Sequence, residues 1–464
     1  MSLFAPQIDA ARRAIPARIR GSVSAVSGLT IEAAELRLPV GSICQIHRAI
    51  GGTCTAEVVG FSARRTLLMP LTSTAGVASG DTIENLSTSP GIWCSPRLLG
   101  RVLNGFGQPA DNGPPLPMGQ MRRIDAKSVA PLDREVIRQP ISTSIRVVDG
   151  LLTCGLGQRM GIFSGPGVGK STLMSQIAKH TSADVSVVAL IGERGREVQE
   201  FIENALGPEG LKRCVMIVST SDDSPLLRVR AARVATTIAE YFRDQGLNVM
   251  LLLDSLTRLA QAQRQIGLAA REPPATRGFP PSVFGLIPEL LERAGKTPFG
   301  SITGFYTVLV DGDDFSEPIA DCVKGITDGH LWLSRSLANK GHFPAIDVLQ
   351  SISRVRSDVA EKDHVKMARR VSAIMATYSE IEDLVNIGAY VAGNNPEYDL
   401  AVQTRPKIID YLKQEPTDPV SVDKARKQLA DLNLWIEQNE KAIAVQSAQR
   451  RQQAQANPRI ARTA

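Results

Sequence analysis

Several things are missing from these 464 residues. The six cysteines, at 44, 54, 94, 154, 214 and 322, include no Cys-x-x-Cys pair. That scatter argues against a zinc site or a disulfide framework and leaves reduced packing thiols. No uncharged apolar run reaches the roughly 18 residues of a membrane span, and the longest candidate, Thr297 to Val310, is short and carries polar side chains. Asp9, Arg12 and Arg13 interrupt the region where a signal-peptide core would stand, so the chain is expected in the cytoplasm. Residues 1–90 hold only two aromatic side chains, Phe4 and Phe61. That is too few for a base-stacking platform, and no nucleic-acid partner is expected.

Charge is also modest, with a net +6, but it is unevenly placed. Arg12, Arg13, Arg18 and Arg20 crowd one end, and Arg450, Arg451, Arg459 and Arg462 lie in the Gln/Ala-rich stretch "QSAQRRQQAQANPRIARTA". Residues 1–17 are expected to be a flexible basic N-terminus and residues 441–464 a disordered basic tail. A solubilising role and contact with an acidic membrane surface or a partner both fit such ends.

Between them the texture changes. Residues 18–90 read as short alternating runs between Gly-, Ser- and Thr-rich turns, the pattern of a small β-barrel. The Pro/Gly-rich connection "GFGQPADNGPPLPMG" follows. Within residues 91–365, apolar runs at Met160–Ser164, Val185–Gly192, Cys214–Ser219, Val249–Leu253 and Ile302–Val310 alternate with helical patterns. This predicts an α/β domain, a parallel sheet with helices on both faces. Residues 366–440 return to a helical period and are expected to form a helical C-terminal domain.

The stretch "MGIFSGPGVGKSTLMSQIAKH" places a glycine-rich turn between a strand and a helix. In such a turn, backbone N–H groups and the helix N-terminus surround a pyrophosphate. Lys170 would neutralise the outer phosphates, and Ser171 would offer a hydroxyl to Mg²⁺. The strict GxxxxGK[ST] pattern is missed by one place, because Ser164 stands at the first glycine. A phosphate site also needs a carboxylate on the metal side. "NVMLLLDSLTR" delivers Asp254 from a buried strand to the carboxyl edge, where ligands of such sheets bind. Hydrolysis further requires a group that polarises water. "DVSVVALIG" runs directly into "ERGRE", which makes Glu193 the candidate base, although on composition alone these charges fit a solvated helix start better.

Together, "GQRMGIFSGPGVGKST", "LIGERGREVQEFI", "LLLDSLTRLAQAQRQIGLAAREPPATRGFPPSVF", "GSITGFYTVLVDGDDFSEPIAD" and "GHFPAIDVLQSISRVRSD" resemble the rotary ATP synthase α/β superfamily. More narrowly they resemble its type III secretion branch, the flagellar export ATPase and its injectisome relatives, over roughly residues 18–440. "LPVGSIC" and "EVVGF...LLMPL" lean toward the flagellar member.

The resemblance implies a P-loop, RecA-like core that binds ATP and Mg²⁺. It makes Gly165, Pro166, Gly167, Val168, Gly169, Lys170, Ser171 and Thr172 the nucleotide loop, Glu193 the catalytic carboxylate, Arg194 a phosphate-side sensor, and Ser171 and Asp254 the metal side. Phe343 stands where the family stacks an aromatic on adenine, and Arg354 matches the arginine that reaches into a neighbouring subunit's site; a plain surface cation is the other reading of Arg354. The resemblance further implies a homohexamer at the cytoplasmic face of the inner membrane, at the membrane export gate. A peripheral regulator, a coiled-coil stalk, and export substrates with their chaperones would be its partners. Because one chain carries both Glu193 and Arg354, six copies could form six equivalent catalytic interfaces. That co-occurrence speaks against a proton-coupled synthase subunit, and Glu193 against a non-catalytic scaffold. A ring-shaped nucleic-acid translocase would share the core but needs the aromatics that residues 1–90 lack.

Overall fold

Hydrophobic residues fall on alternate positions through the first 90 residues, and a computed structural model, which describes residues 19–62, 65–88, 90–310 and 317–456, closes six strands around them. These are β1 (Arg20–Ser27), β2 (Thr30–Ala34), β3 (Ile43–His47), β4 (Thr53–Ser62), β5 (Arg65–Pro70) and β6 (Thr82–Ser87), in the order β1-β2-β5-β4-β3-β6. Ile31 and Ala33, Cys44 and Ile46, and Cys54, Ala56 and Val58 point inward at the period of two that a pleated strand imposes. The cysteines here are packing residues, and burial pushes the Cys44 thiol up to about 12.

β7 (Gly91–Cys94), β8 (Val102–Asn104) and β9 (Gln120–Arg123) follow. β7 and β9 pair with each other, and β8 joins the central sheet. The other sheet strands are β10 (Arg159–Ser164), β11 (Val185–Glu193), β12 (Cys214–Thr220), β13 (Asn248–Asp254), β14 (Gly295–Lys296), β15 (Ser301–Leu309), β16 (Gly329–Leu333) and β17 (Ile352–Ser353). Their order is β17-β16-β10-β15-β13-β11-β12-β8, with β14 beside β15. Only β14 and β17 run antiparallel.

All five apolar runs singled out in the sequence are strands of this sheet. They read as unbroken hydrophobic stretches because both faces are covered. Val187, Ala189, Leu251 and Leu253 pack on one face, under the helices α2 (Pro225–Asp244) and α3 (Leu256–Ala269); Val188, Leu190, Met250 and Leu252 pack on the other, against α1 (Lys170–His180).

That second face shares its core with the C-terminal helices α5 (Lys362–Asn386), α6 (Pro396–Leu412) and α7 (Val422–Ala456), while α4 (Pro318–Ile326) lies on the first face. Val371, Ile374, Ile408, Leu429 and Ile436 join Leu173, Met174 and Ile177 there. The C-terminal helices are therefore fixed beside the glycine loop. One expectation is corrected: residues 441–456 are not disordered but continue α7. Ile443 is buried in this extension, and the Arg450 guanidinium donates to the Ala392 carbonyl at 3.1 Å. The expected basic N-terminus, residues 1–17, and the last residues, 457–464, lie outside the described residues.

Candidate functional site

The carboxyl ends of β10, β11, β13 and β15 meet along one edge of the sheet. Parallel registry sets Ser164 beside Leu309 and Leu190 beside Asp254. β10 gives way to the glycine loop, and α1 starts at Lys170. Gly169 has φ 91°, a left-handed conformation that disfavours a side chain, and a Cβ there would come 3.5 Å from the Phe343 ring. A cavity of about 470 Å³ opens above the loop. Ser171 and Thr172 are exposed to it, and Glu193, Arg194 and Arg258 complete its wall.

Lys170 sits between two carboxylates. Its Nζ lies 2.5 Å from Asp254 Oδ1 and 3.9 Å from Glu193 Oε1. Asp254 is buried, and its Oδ1 also accepts from the Thr307 hydroxyl at 2.7 Å. Glu193 is different, because its Oε1 is buried with no hydrogen-bond partner among the described residues. Burial raises the Glu193 carboxyl from 4.5 to about 7; the Asp254 and Glu197 charges add to the rise and Lys170 opposes it. A carboxylate poised near neutrality with an unspent acceptor has the properties of a general base. These residues bring together a polyphosphate cradle, a cation, a buried acid and a base.

The expected residues do not all converge. Arg194 reaches only the rim: its side chain is 80% exposed and its Nη1 is 4.0 Å from Glu197 Oε1. Arg258 stands inside instead. It lies one helical turn after Asp254, its amide is capped by the Ser255 hydroxyl, and its Nε is buried without a partner among the described residues. Gly192, at φ 72°, lets it in, since a Cβ there would come 2.9 Å from Arg258 Cβ. The i, i+4 spacing from Asp254 was the signal available in the sequence.

Arg354 lies outside this cavity altogether. It follows the edge strand β17, is exposed, and donates from Nη2 to the Lys324 carbonyl of α4 at 3.3 Å. One strand, β16, separates that edge strand from β10.

A second cavity, of about 350 Å³, shares Gly169 and Thr172 with the first. Phe343, 43% exposed, forms one wall with Pro344 and Leu333. The other wall was not foreseen: it is the segment 413–416 after α6. Gln414 fastens that segment to the core. Its Nε2 donates to the Ser144 and Asp418 carbonyls, its Oε1 accepts from the Arg146 amide, and its own amide donates to the Phe343 carbonyl at 2.9 Å. Nothing in the pattern of "LKQEP" announces this. No group of three or more His, Cys, Asp or Glu suited to a dedicated metal cage occurs among the described residues, and no helix there is long and apolar enough to cross a membrane.

Residues 144–353 match the ATP synthase alpha/beta family, nucleotide-binding domain, and residues 360–431 match the T3SS EscN ATPase C-terminal domain. The chain is 50% identical over 415 residues to a flagellum-specific ATP synthase of Bacillus subtilis, covering 89% of this chain and 94% of the relative. It is 49% identical over 402 residues to a type 3 secretion system ATPase of Xanthomonas euvesicatoria, covering 86% and 91%. Among solved structures, the assembled ATPase EscN of the enteropathogenic E. coli type III secretion system superposes with a TM-score of 0.84 at 43% identity, over 89% of this chain and 99% of that one. EscN in complex with its central stalk EscO gives a TM-score of 0.82 over the same shares at 43% identity.

Proposed function

The chain belongs to the type III secretion ATPases of the ATP synthase alpha/beta superfamily, and from that premise we propose that it hydrolyses ATP to drive delivery and unfolding of export substrates at the membrane gate of a flagellar apparatus. The observation that carries the chemistry is Glu193, a partly buried carboxylate whose buried Oε1 is unspent among the described residues and lies beside the Lys170 ammonium. The glycine loop and the start of α1 cradle the phosphates, and Lys170 leaves Asp254 to meet them. Phe343 packs against the adenine. Glu193 accepts a proton from the attacking water, while Arg258 offers positive charge to the phosphate side.

Asp254 and the Ser171 hydroxyl are hard oxygen donors, and one carboxylate with substrate phosphates is the usual protein share of a Mg²⁺ site, so the residues fit that ion. When bound, it neutralises phosphate charge. Arg354, excluded from its own cavity, is assigned to the neighbour's site in a closed head-to-tail homohexamer. EscN, which assembles and is seen in complex with a central stalk, supports the ring and a stalk partner; a peripheral regulator and chaperoned export substrates are the further partners we propose. The near-equal identities to flagellar and injectisome relatives make injectisome service the second reading. Deleting the gene in its host separates the two: loss of motility with effector secretion intact supports the flagellar role, and the converse supports the other.

Glu193→Gln tests the base. ATP should still bind, and hydrolysis should fall by at least about 10²-fold. Stability should move the opposite way. A carboxyl raised to about 7 in the fold, against an ordinary 4.5, binds its proton more tightly when folded. Its cost to stability is therefore largest above pH 7 and fades as pH falls toward 4.5. In nucleotide-free thermal melts, Glu193→Gln should raise Tm at pH 8 and approach the wild-type value near pH 4.5. A variant that binds and turns over ATP like the wild type would remove Glu193 from the chemistry.

A further inference from the structure

The base-side cavity is apolar apart from a few groups, and one of these is unspent. Gln176 lines it while only 9% exposed, and its amide has no hydrogen-bond partner among the described residues. The other glutamine in the wall, Gln414, has both ends of its amide engaged with the backbone. Lys413 and Glu415 are exposed at the rim. Thr172 sits one turn nearer the glycine loop.

Position along the helix places Gln176 farther from the phosphates. Gly169, Thr172, Leu173 and Gln176 recur at helical spacing and line the cavity together. Gln176 follows Lys170 by six residues, which sets it about 9 Å farther along the α1 axis. Its amide faces the cavity and is free to bond a ligand that enters there. The Phe343 ring closes the cavity as a flat apolar wall suited to the face of a base, which leaves the base's polar edge to be met by another group.

We propose that Gln176 hydrogen-bonds the polar edge of the purine, so that the residue at 176 sets which base the enzyme accepts; this rests on the nucleotide reading above. A glutamine amide offers an acceptor and a donor side by side, which matches the exocyclic amine and adjoining ring nitrogen of adenine. A carboxylate at the same place offers acceptors only. It would meet two donors on guanine, the ring N–H and the exocyclic amine, but on adenine one donor and a repelling ring nitrogen.

The test measures kcat and KM for ATP and GTP at pH 8, with displacement of a fluorescent ATP analogue as a separate binding assay. Gln176→Met keeps length and apolar packing without the amide. It should raise KM for ATP about tenfold with kcat within about twofold. Gln176→Glu should shift the ATP-to-GTP ratio of kcat/KM toward GTP by at least about tenfold. If the methionine variant does not fold, the glutamate variant decides alone. Unchanged KM in the first, or an unchanged ratio in the second, overturns the assignment of Gln176. A wild type that neither binds nor hydrolyses ATP would instead sink the nucleotide reading itself.

Discussion

Lys170→Ala is expected to abolish ATP turnover and to cut nucleotide affinity by at least about 10²-fold, because a triphosphate in the cavity loses its direct cation and a charge-assisted hydrogen bond. The same substitution has a structural cost. Lys170 is the cation 2.5 Å from the buried Asp254 carboxylate, and removing one partner of a buried pair costs on the order of 3 kcal/mol. Loss of activity alone would therefore be ambiguous. Pairing Lys170→Ala with Asp254→Asn removes both charges and should recover most of the melting temperature while turnover stays absent. Thr307, which donates to Asp254 Oδ1 at 2.7 Å, can still donate to the asparagine carbonyl. Measurable hydrolysis in the folded single variant would contradict the assignment of the loop.

Arg354→Ala should behave differently. Among the described residues its side chain bonds only the Lys324 carbonyl, at 3.3 Å, and it is exposed, so the isolated chain should lose no more than about 0.5 kcal/mol of stability. ATP should still bind, because the loop, Phe343 and Gln176 are untouched. Hydrolysis should fall on the order of 10³-fold, the effect of losing an arginine that stabilises charge in phosphoryl transfer. Steady-state hydrolysis together with a melt of the same preparation checks both halves. A large loss of stability would reassign Arg354 to the fold.

The two sides of the site were unequally legible in the sequence, for physical reasons. Strand ends at a parallel sheet's carboxyl edge announce themselves: "ALIGE" and "LLLD" are apolar runs that stop at a charge, and a buried strand has few other ways to end so. Arg194 and Arg258 show the limit of spacing. Both lie near the right edge, but the direction each side chain takes depends on local helix starts and on Gly192, which spacing does not encode. The wall at residues 413–416 is brought in by packing of α6 and α7 onto the far side of the core, more than 200 positions along the chain. Gln/Ala-rich composition suggested disorder after residue 440, yet Ala, Gln and Arg are strong helix formers, and with Ile443 buried the helix propagates.

We propose that catalysis is shared between two copies of this chain, with Glu193 from one and Arg354 from its neighbour. Mixing Glu193→Gln and Arg354→Ala subunits in equal amounts, reassembling them and measuring ATP hydrolysis tests it most directly. Random mixing leaves about a quarter of interfaces with an intact pair in a closed head-to-tail ring, so two inactive parents should together recover a clear fraction of wild-type activity. A mixture shown to co-assemble, yet as inactive as either parent, would contradict the shared site, provided that wild-type subunits titrated into each variant restore activity in proportion.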